Sequence, residues 1–495
     1  MENIDLIRTC NTMRSGFQEW GDTLAYSLDK KLKMVGQLER YGGQYIEGNW
    51  PFSIPVLSND LIESGFLMAI LLFLTIFIMP LFSRELRQNK QILIGYVFVI
   101  GLHQIMAFTN ACIYQTLMAR NDARGFHIFA RELARNEGWN FDFSIGQEFY
   151  IDILTTVYRW FGSSHLLGEQ LSILAFALSC IVFLKILRQL EAGRYRLFAL
   201  LAFGAYPTMI VYGSITVRES YEVFFFMLTV YFGIKMAGKG GANLYLIALI
   251  LSALAAGFFH QALIFYMVFL VLLFLAWTFL PITRLKSIKK LSLVAWIIIP
   301  FFLVGIIIFL NMKMLDLRPA NRGVFSTLID VNWLEAISNY RVESIKNSGR
   351  TAYGVYLDIT SSYMMVYSGL KLYVYYLFAP FPWNIGSLTD LYASTESIMR
   401  MILIYFSVKQ WRKAYGSQRR LLGLMLILYF SITFMWALGT TNYGTAMRHH
   451  MLSWWIIVII GIPPLMEKLG RFLFRSIVNS SSHRLEVTSE NLDRN

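Results

Sequence analysis

Charge is the scarcest commodity in this chain. Only 15% of its 495 residues are charged and 56% are hydrophobic, whereas soluble domains carry roughly 25% charge. The deficit excludes a soluble globular protein: the apolar residues are gathered in long runs, and no chain of this size could bury so many helices that are hydrophobic all round. Cysteine is nearly missing as well. Cys10, Cys112 and Cys180 are the only three, and two of them sit in apolar runs, so neither a disulfide framework nor a zinc site is indicated. The first 60 residues show no short apolar core behind a basic start, so no cleavable signal peptide is expected among them. Internal repeats and low-complexity tracts are also lacking.

What is present is a succession of apolar runs separated by short charged clusters. A helix needs about 20 apolar residues to cross the hydrocarbon core, and Leu61–Phe82, Gln261–Leu280 and Leu291–Leu310 each reach that length. The net charge of +13 is not spread like a nucleic-acid footprint. Arg84, Arg87 and Lys90 follow the first run; Lys185, Arg188, Arg194 and Arg196 surround a break after Leu187. Arg284, Lys286, Lys289 and Lys290 follow a third run, Lys409 to Arg420 form a short basic loop, and Lys468, Arg471 and Arg475 follow the last run. Short basic loops are cytoplasmic by the positive-inside rule. Spans are expected near 61–82, 92–117, 166–187, 195–213, 220–237, 243–258, 261–281, 291–311, 391–408, 421–438 and 451–466. The expected fold is therefore all-α: a polytopic transmembrane bundle of about 11 crossings, with the N-terminus outside and the C-terminus inside. Residues 1–60 form a polar N-terminal segment, 61–475 the transmembrane domain and 476–495 a disordered cytoplasmic tail. The outer loops at 118–165 and 312–390 are long and rich in aromatics, and their short apolar segments 151–162 and 367–382 are expected to lie at the interface.

Candidate functional groups collect on the outer side of that topology. Asp122 stands where the second span leaves the membrane, and Phe126, Phe129, Ala130 and Leu133 recur after it at helical spacing. Such a carboxylate is either a general base for an acceptor group or a helix cap. Arg218 and Glu219 precede an apolar run: the planar guanidinium suits a phosphate or pyrophosphate, and an interhelical ion pair is the structural alternative. His260 ends a span on the same side, as a catalytic or a structural histidine. The segment Gly439–His450 is a polar, glycine-bearing turn between two apolar spans, containing Tyr443, Arg448, His449 and His450. Its amides and Arg448 could cradle an anionic headgroup, and its histidines could transfer protons. Adjacent histidines diverge by about 100° on a helix and chelate poorly, so no metal or other cofactor is indicated. Trp383 and the aromatics from Tyr373 suit an interfacial belt or stacking on a sugar ring.

The order of these features resembles the C-type (GT-C) integral membrane glycosyltransferases. The resemblance rests on Asn121-Asp122-Ala123 with Phe126 and Ala130, on Ile145–Tyr150 leading to Tyr158–Gly162, and on Ala205-Tyr206-Pro207 with Tyr212-Gly213 and Arg218-Glu219. These residues cover roughly 115–235. Phe381-Pro382-Trp383 and Asn442–His449 look more like bacterial exopolysaccharide and O-antigen polymerase-type proteins. Two departures stand out: Asp122 follows the second span where the family's first acidic site usually follows the first, and Ala123 replaces the second member of an Asp-Glu pair. The resemblance implies a sugar donor on a polyprenyl phosphate or pyrophosphate and a glycan or lipid acceptor. Transfer would then occur on the periplasmic or extracellular face of a bacterial cytoplasmic membrane, with membrane lipids as further partners. In that scheme Asp122 activates the acceptor, with Glu219 and His260 as further catalytic candidates. Arg218, Arg448, His449, Tyr443 and Trp383 bind substrate. An oligosaccharide polymerase or ligase, and a non-enzymatic transporter or flippase, are the alternatives. Transporters of the latter kind often contain broken helices, and none is evident in the sequence.

Overall fold

The computed structural model describes residues 65–113, 115, 116, 119, 122–190, 193–238, 243–279, 333–347 and 349–492. All of them belong to one compact unit, 56–309 with 333–495. The N-terminal segment, the loop at 283–290, the span near 291–311 and the first part of the second outer loop lie outside the described residues. What is described is helical, apart from an isolated antiparallel bridge between Ala352 and Asn442.

The helices are α1 Gly65–Ile78, α2 Lys90–Phe108, α3 Asp122–Arg135, α4 Gln147–Phe161, α5 His165–Gln189, α6 Arg196–Gly204 and α7 Pro207–Gly213. There follow α8 Glu219–Gly238, α9 Asn243–Phe259, α10 Gln261–Phe279, α11 Trp333–Asn347, α12 Ser362–Phe378, α13 Leu388–Lys413, α14 Gly416–Gly439 and α15 Tyr443–Leu492. Seven helical stretches among the described residues are long and apolar enough to cross a membrane, or eight if the bent pair α6–α7 is one span. Three further expected crossings stand apart. The one near 291–311 is not described, α9 has only 17 residues, and α13 carries Asp390, Glu396 and Arg400 in its buried face. The backbone of α15 is helical through Leu492, past the boundary at Ser476 where polar composition leads one to expect irregular chain.

Local chemistry sets the breaks. Asn89 caps α2 by accepting from the amides of Gln91 and Ile92, and Ser361 and Ser387 cap α12 and α13 in the same way. Pro207 opens α7 at the first helical turn, where its missing N–H is no loss. The two half-helices meet at 57°. The short helices α3 and α4 are amphipathic: Ala123, Phe126, His127 and Ala130 form one buried stripe of α3. Where long helices cross, small residues allow close approach. A Cβ on Gly461 of α15 would stand 2.7 Å from the backbone oxygen of Leu403 in α13.

The alternation of helices gives the bundle two chemically distinct ends. Arg188 at the end of α5 lies 3.5 Å from Glu85 in the turn between α1 and α2, which places both at one end. Lys185 and Lys235 flank the ring of Tyr231 there, and Lys409 and Lys468 flank Phe406. The opposite end holds α3, α4, the α7–α8 and α9–α10 turns and the α14–α15 turn.

Candidate functional site

At that opposite end one arginine gathers two carboxylates from distant parts of the chain. Arg448, in the second turn of α15, donates from Nε to Glu219 Oε1 at 2.8 Å and from Nη2 to the same oxygen. Its Nη1 donates to Asp122 Oδ2. Glu219 opens α8 and Asp122 opens α3, so both sit where the amide ends of helix dipoles favour negative charge. The three side chains differ sharply in solvent access, at 8% for Glu219, 21% for Arg448 and 48% for Asp122. Beneath the guanidinium, 5.6 Å away, lies the ring of Tyr212 at the end of α7.

Arg218 stands beside this group. Its Nε is 3.2 Å from Glu222 Oε1 one helical turn on, without the alignment of a hydrogen bond. Its Nη1 faces Gly146, whose φ of +93° is open to glycine and whose amide donates to Phe258 O at 2.7 Å. The loop before α4 is thereby fastened over the α9–α10 turn. His260 is the single residue of that turn; its Nδ1 accepts from Ala262 N at 3.2 Å. The His260 ring meets Trp436 edge-on at 4.8 Å, and His449 stacks on the same indole at 3.9 Å. Both histidines lie within electrostatic reach of Arg218 and Arg448. His449 Nδ1 also pairs with Thr440 Oγ1 at 2.9 Å.

The structure therefore brings together Asp122, Arg218, Glu219, His260, Arg448 and His449. It gives Tyr443 and Trp383 other surroundings. Tyr443 donates its hydroxyl to Asp390, which also accepts from Arg350 and from Gly386 N. These donors hold the Asp390 carboxyl well below the usual carboxylate range, Arg350 foremost. Trp383 is 78% exposed and stacks on Phe381. The turn amides are also spoken for in part: Thr440 N donates to Trp436 O, and Thr445 N to Asn442 Oδ1. Arg448 is the cationic side chain of this turn, and both of its edges already meet carboxylates.

Several contributors escaped the sequence reading. Glu222 was legible in principle, four residues after Arg218 and on the same helix face. Tyr212, under the Arg448 guanidinium, carries no charge that would mark it in an apolar run. Arg341 carried no local signal: wholly buried, it donates to the carbonyls of Ala437, Leu438 and Thr440 at 2.9–3.0 Å. It thereby satisfies the carbonyl end of α14 and fixes the turn that leads to Arg448. On α3, His127 is fully buried, 3.0 Å from Tyr158 Oη and stacked at 3.6 Å on His165. Burial, foremost, and then His165, Arg131 and Arg124 push its imidazole well below the usual histidine range. Among the described residues no cluster of His, Cys, Asp and Glu has the makings of a metal site.

Fold and site together define a helical membrane protein with a charge-paired centre at one end of its bundle. No family model, curated protein or solved structure matches the chain.

Proposed function

We propose that the protein is a membrane-embedded glycosyltransferase that uses a polyprenyl-phosphate-linked sugar, acting on the non-cytoplasmic face of the membrane. One observation carries the reading: Asp122, a half-exposed carboxylate, meets Arg448 at the bundle end opposite the basic loops. In the reaction Asp122 takes the proton from an acceptor hydroxyl as the acceptor oxygen bonds to the anomeric carbon. The bond from that carbon to the phosphate oxygen breaks, and its electron pair leaves with the phosphate. Arg448, with Arg218 beside it, supports the charge that develops there. His260 and His449, packed on Trp436, shape the wall next to the two arginines.

The bent span favours a second reading. The amide and hydroxyl of Thr208, at the start of α7, donate to the buried Glu396 at 2.8 and 2.6 Å. Discontinuous helices around a buried carboxylate are a feature of transporters. The two readings separate in one experiment: mass spectrometry of lipid-linked sugars and surface glycans in cells lacking the gene, complemented with wild type, Asp122→Asn or Glu396→Gln. A transferase leaves the glycan short of one sugar, lets unspent donor accumulate, and is not restored by Asp122→Asn. A glycan stalled at a single repeat unit identifies a polymerase. Loss of the whole glycan that Asp122→Asn restores and Glu396→Gln does not identifies a transporter.

A further inference from the structure

We propose that Arg448 is an exchangeable clasp. Glu219 holds one edge of its guanidinium permanently, while the other edge passes from Asp122 to the phosphate of the incoming donor, so that donor binding is what frees Asp122. The proposal rests on the glycosyl-transfer reading above and adds an order of events to it.

The asymmetry of the contacts is the first argument. A guanidinium presents its donors in a fixed plane. Nε and Nη2 both point at the nearly buried Glu219, and Nη1 alone points at Asp122. Losing Glu219 would strand a carboxylate at 8% exposure, which is strongly unfavourable. Losing Asp122, at 48% exposure, releases a carboxylate into water. The ring of Tyr212 covers one face of the guanidinium, so a new anion arrives at the Nη1 edge.

Charge is the second argument. At the guanidinium of Arg448 two carboxylates, Asp122 and Glu219, already face one positive charge. A phosphate added to this group would enter a centre already in negative excess. A phosphate that displaces Asp122 from Nη1 takes the one donor edge that Glu219 does not hold, and the displaced, half-exposed carboxylate is screened by water. The released Asp122 remains in place, because its helix α3 is anchored by Phe126, His127 and Ala130. While Arg448 occupies Oδ2 the carboxylate is engaged, and after exchange that lone pair can accept the acceptor's proton. Donor must therefore bind before the acceptor is activated.

The test uses the full chain in nanodiscs and measures binding of a long-chain polyprenyl monophosphate, with neutral polyprenol and inorganic phosphate as parallel probes. Removing the competing carboxylate in Asp122→Asn and in Asp122→Ala is expected to tighten polyprenyl phosphate binding about two- to fivefold, the scale of a partly exposed ion pair. Asp122→Glu, which keeps the charge, should bind like wild type. In an Arg448→Lys background, which removes the two-edged fork without deleting the charge, the Asp122→Asn change should give no further gain. The same order of affinities with inorganic phosphate supports the exchange and places it in the headgroup alone. Tightening for neutral polyprenol, or tightening by Asp122→Asn but not by Asp122→Ala, overturns it, since relief of competition at Arg448 then is not the cause. Binding that depends on Arg448 but is unchanged or weakened in both Asp122 variants overturns the clasp and leaves the donor reading standing. Polyprenyl phosphate binding that Arg448→Lys and Arg448→Ala leave untouched, in protein that remains monodisperse, overturns both.

Discussion

A buried or half-buried charge is judged by what happens when its partner goes. Glu219 has one partner of full charge, Arg448, and a second carboxylate oxygen buried without any. Arg448→Ala is therefore expected to cost about 3–5 kcal/mol of stability, the scale for stranding one member of a buried pair. Adding Glu219→Gln should recover a substantial part, because the stranded charge is then gone. Thermal unfolding of the two variants in detergent checks this, and a double variant no more stable than the single one would show that Glu219 is not stranded. Asp122 behaves differently because water reaches it. Asp122→Asn should leave the unfolding midpoint close to wild type and reduce turnover by about 10²–10⁴, as removal of a general base does. Were Asp122 a helix cap and nothing more, Asn would replace it with little loss, and sugar transfer by purified protein would proceed near the wild-type rate.

The short elements at the site end give predictions of another kind. On α4, Asp152 is buried and accepts from Trp139 Nε1 at 3.2 Å. Burial, the largest influence, pushes its carboxyl up to about 6 from 3.8. A carboxyl whose folded value is raised adds stability below its unfolded value and loses it as the pH climbs through the folded one. The protein should accordingly be more stable at pH 5 than at pH 7 in this region, and Asp152→Asn should flatten that dependence; unfolding midpoints of both proteins across the range decide it. Arg341 acts on α14 from α11. Arg341→Met leaves the carbonyls of Ala437, Leu438 and Thr440 without their shared donor, an expected loss of about 2–4 kcal/mol, read as faster amide exchange over 440–446. These two residues also mark the limit of what the sequence could tell. Asp122, Arg218, Glu219 and Arg448 were legible because an ionisable group at the end of an apolar run has few neutral explanations. Arg341 was not, since its partners are backbone carbonyls, three of them on or just after α14, and carbonyls carry no sequence signal. The pairing of Tyr443 with Asp390 was hidden for the related reason that Asp390 belongs to another helix.

At the scale of the whole molecule, two long-range facts bear on the orientation proposed for the chain. The first is the bent span α6–α7, which the unbroken apolar run at 195–213 concealed; only Pro207 hinted at it. It brings Tyr212 under Arg448 while Thr208 reaches Glu396, so the candidate site and the buried carboxylate share one half-helix. The second is that the ion pair of Glu85 with Arg188 and the Arg448 cluster stand at opposite ends of the bundle. If the basic end faces the cytoplasm, the candidate site faces away from it, and a donor that has already crossed the membrane can reach Arg448. Exposed positions at each end put this to the test: Asn140 in the loop before α4 and Ser417 at the start of α14. In intact cells an impermeant thiol reagent should label protein bearing Asn140→Cys and spare protein bearing Ser417→Cys, and permeabilisation should expose the second. The reverse pattern would turn the Arg448 cluster toward the cytoplasm. Soluble nucleotide sugars would then be its natural donors, and the need for a lipid-linked phosphate would vanish.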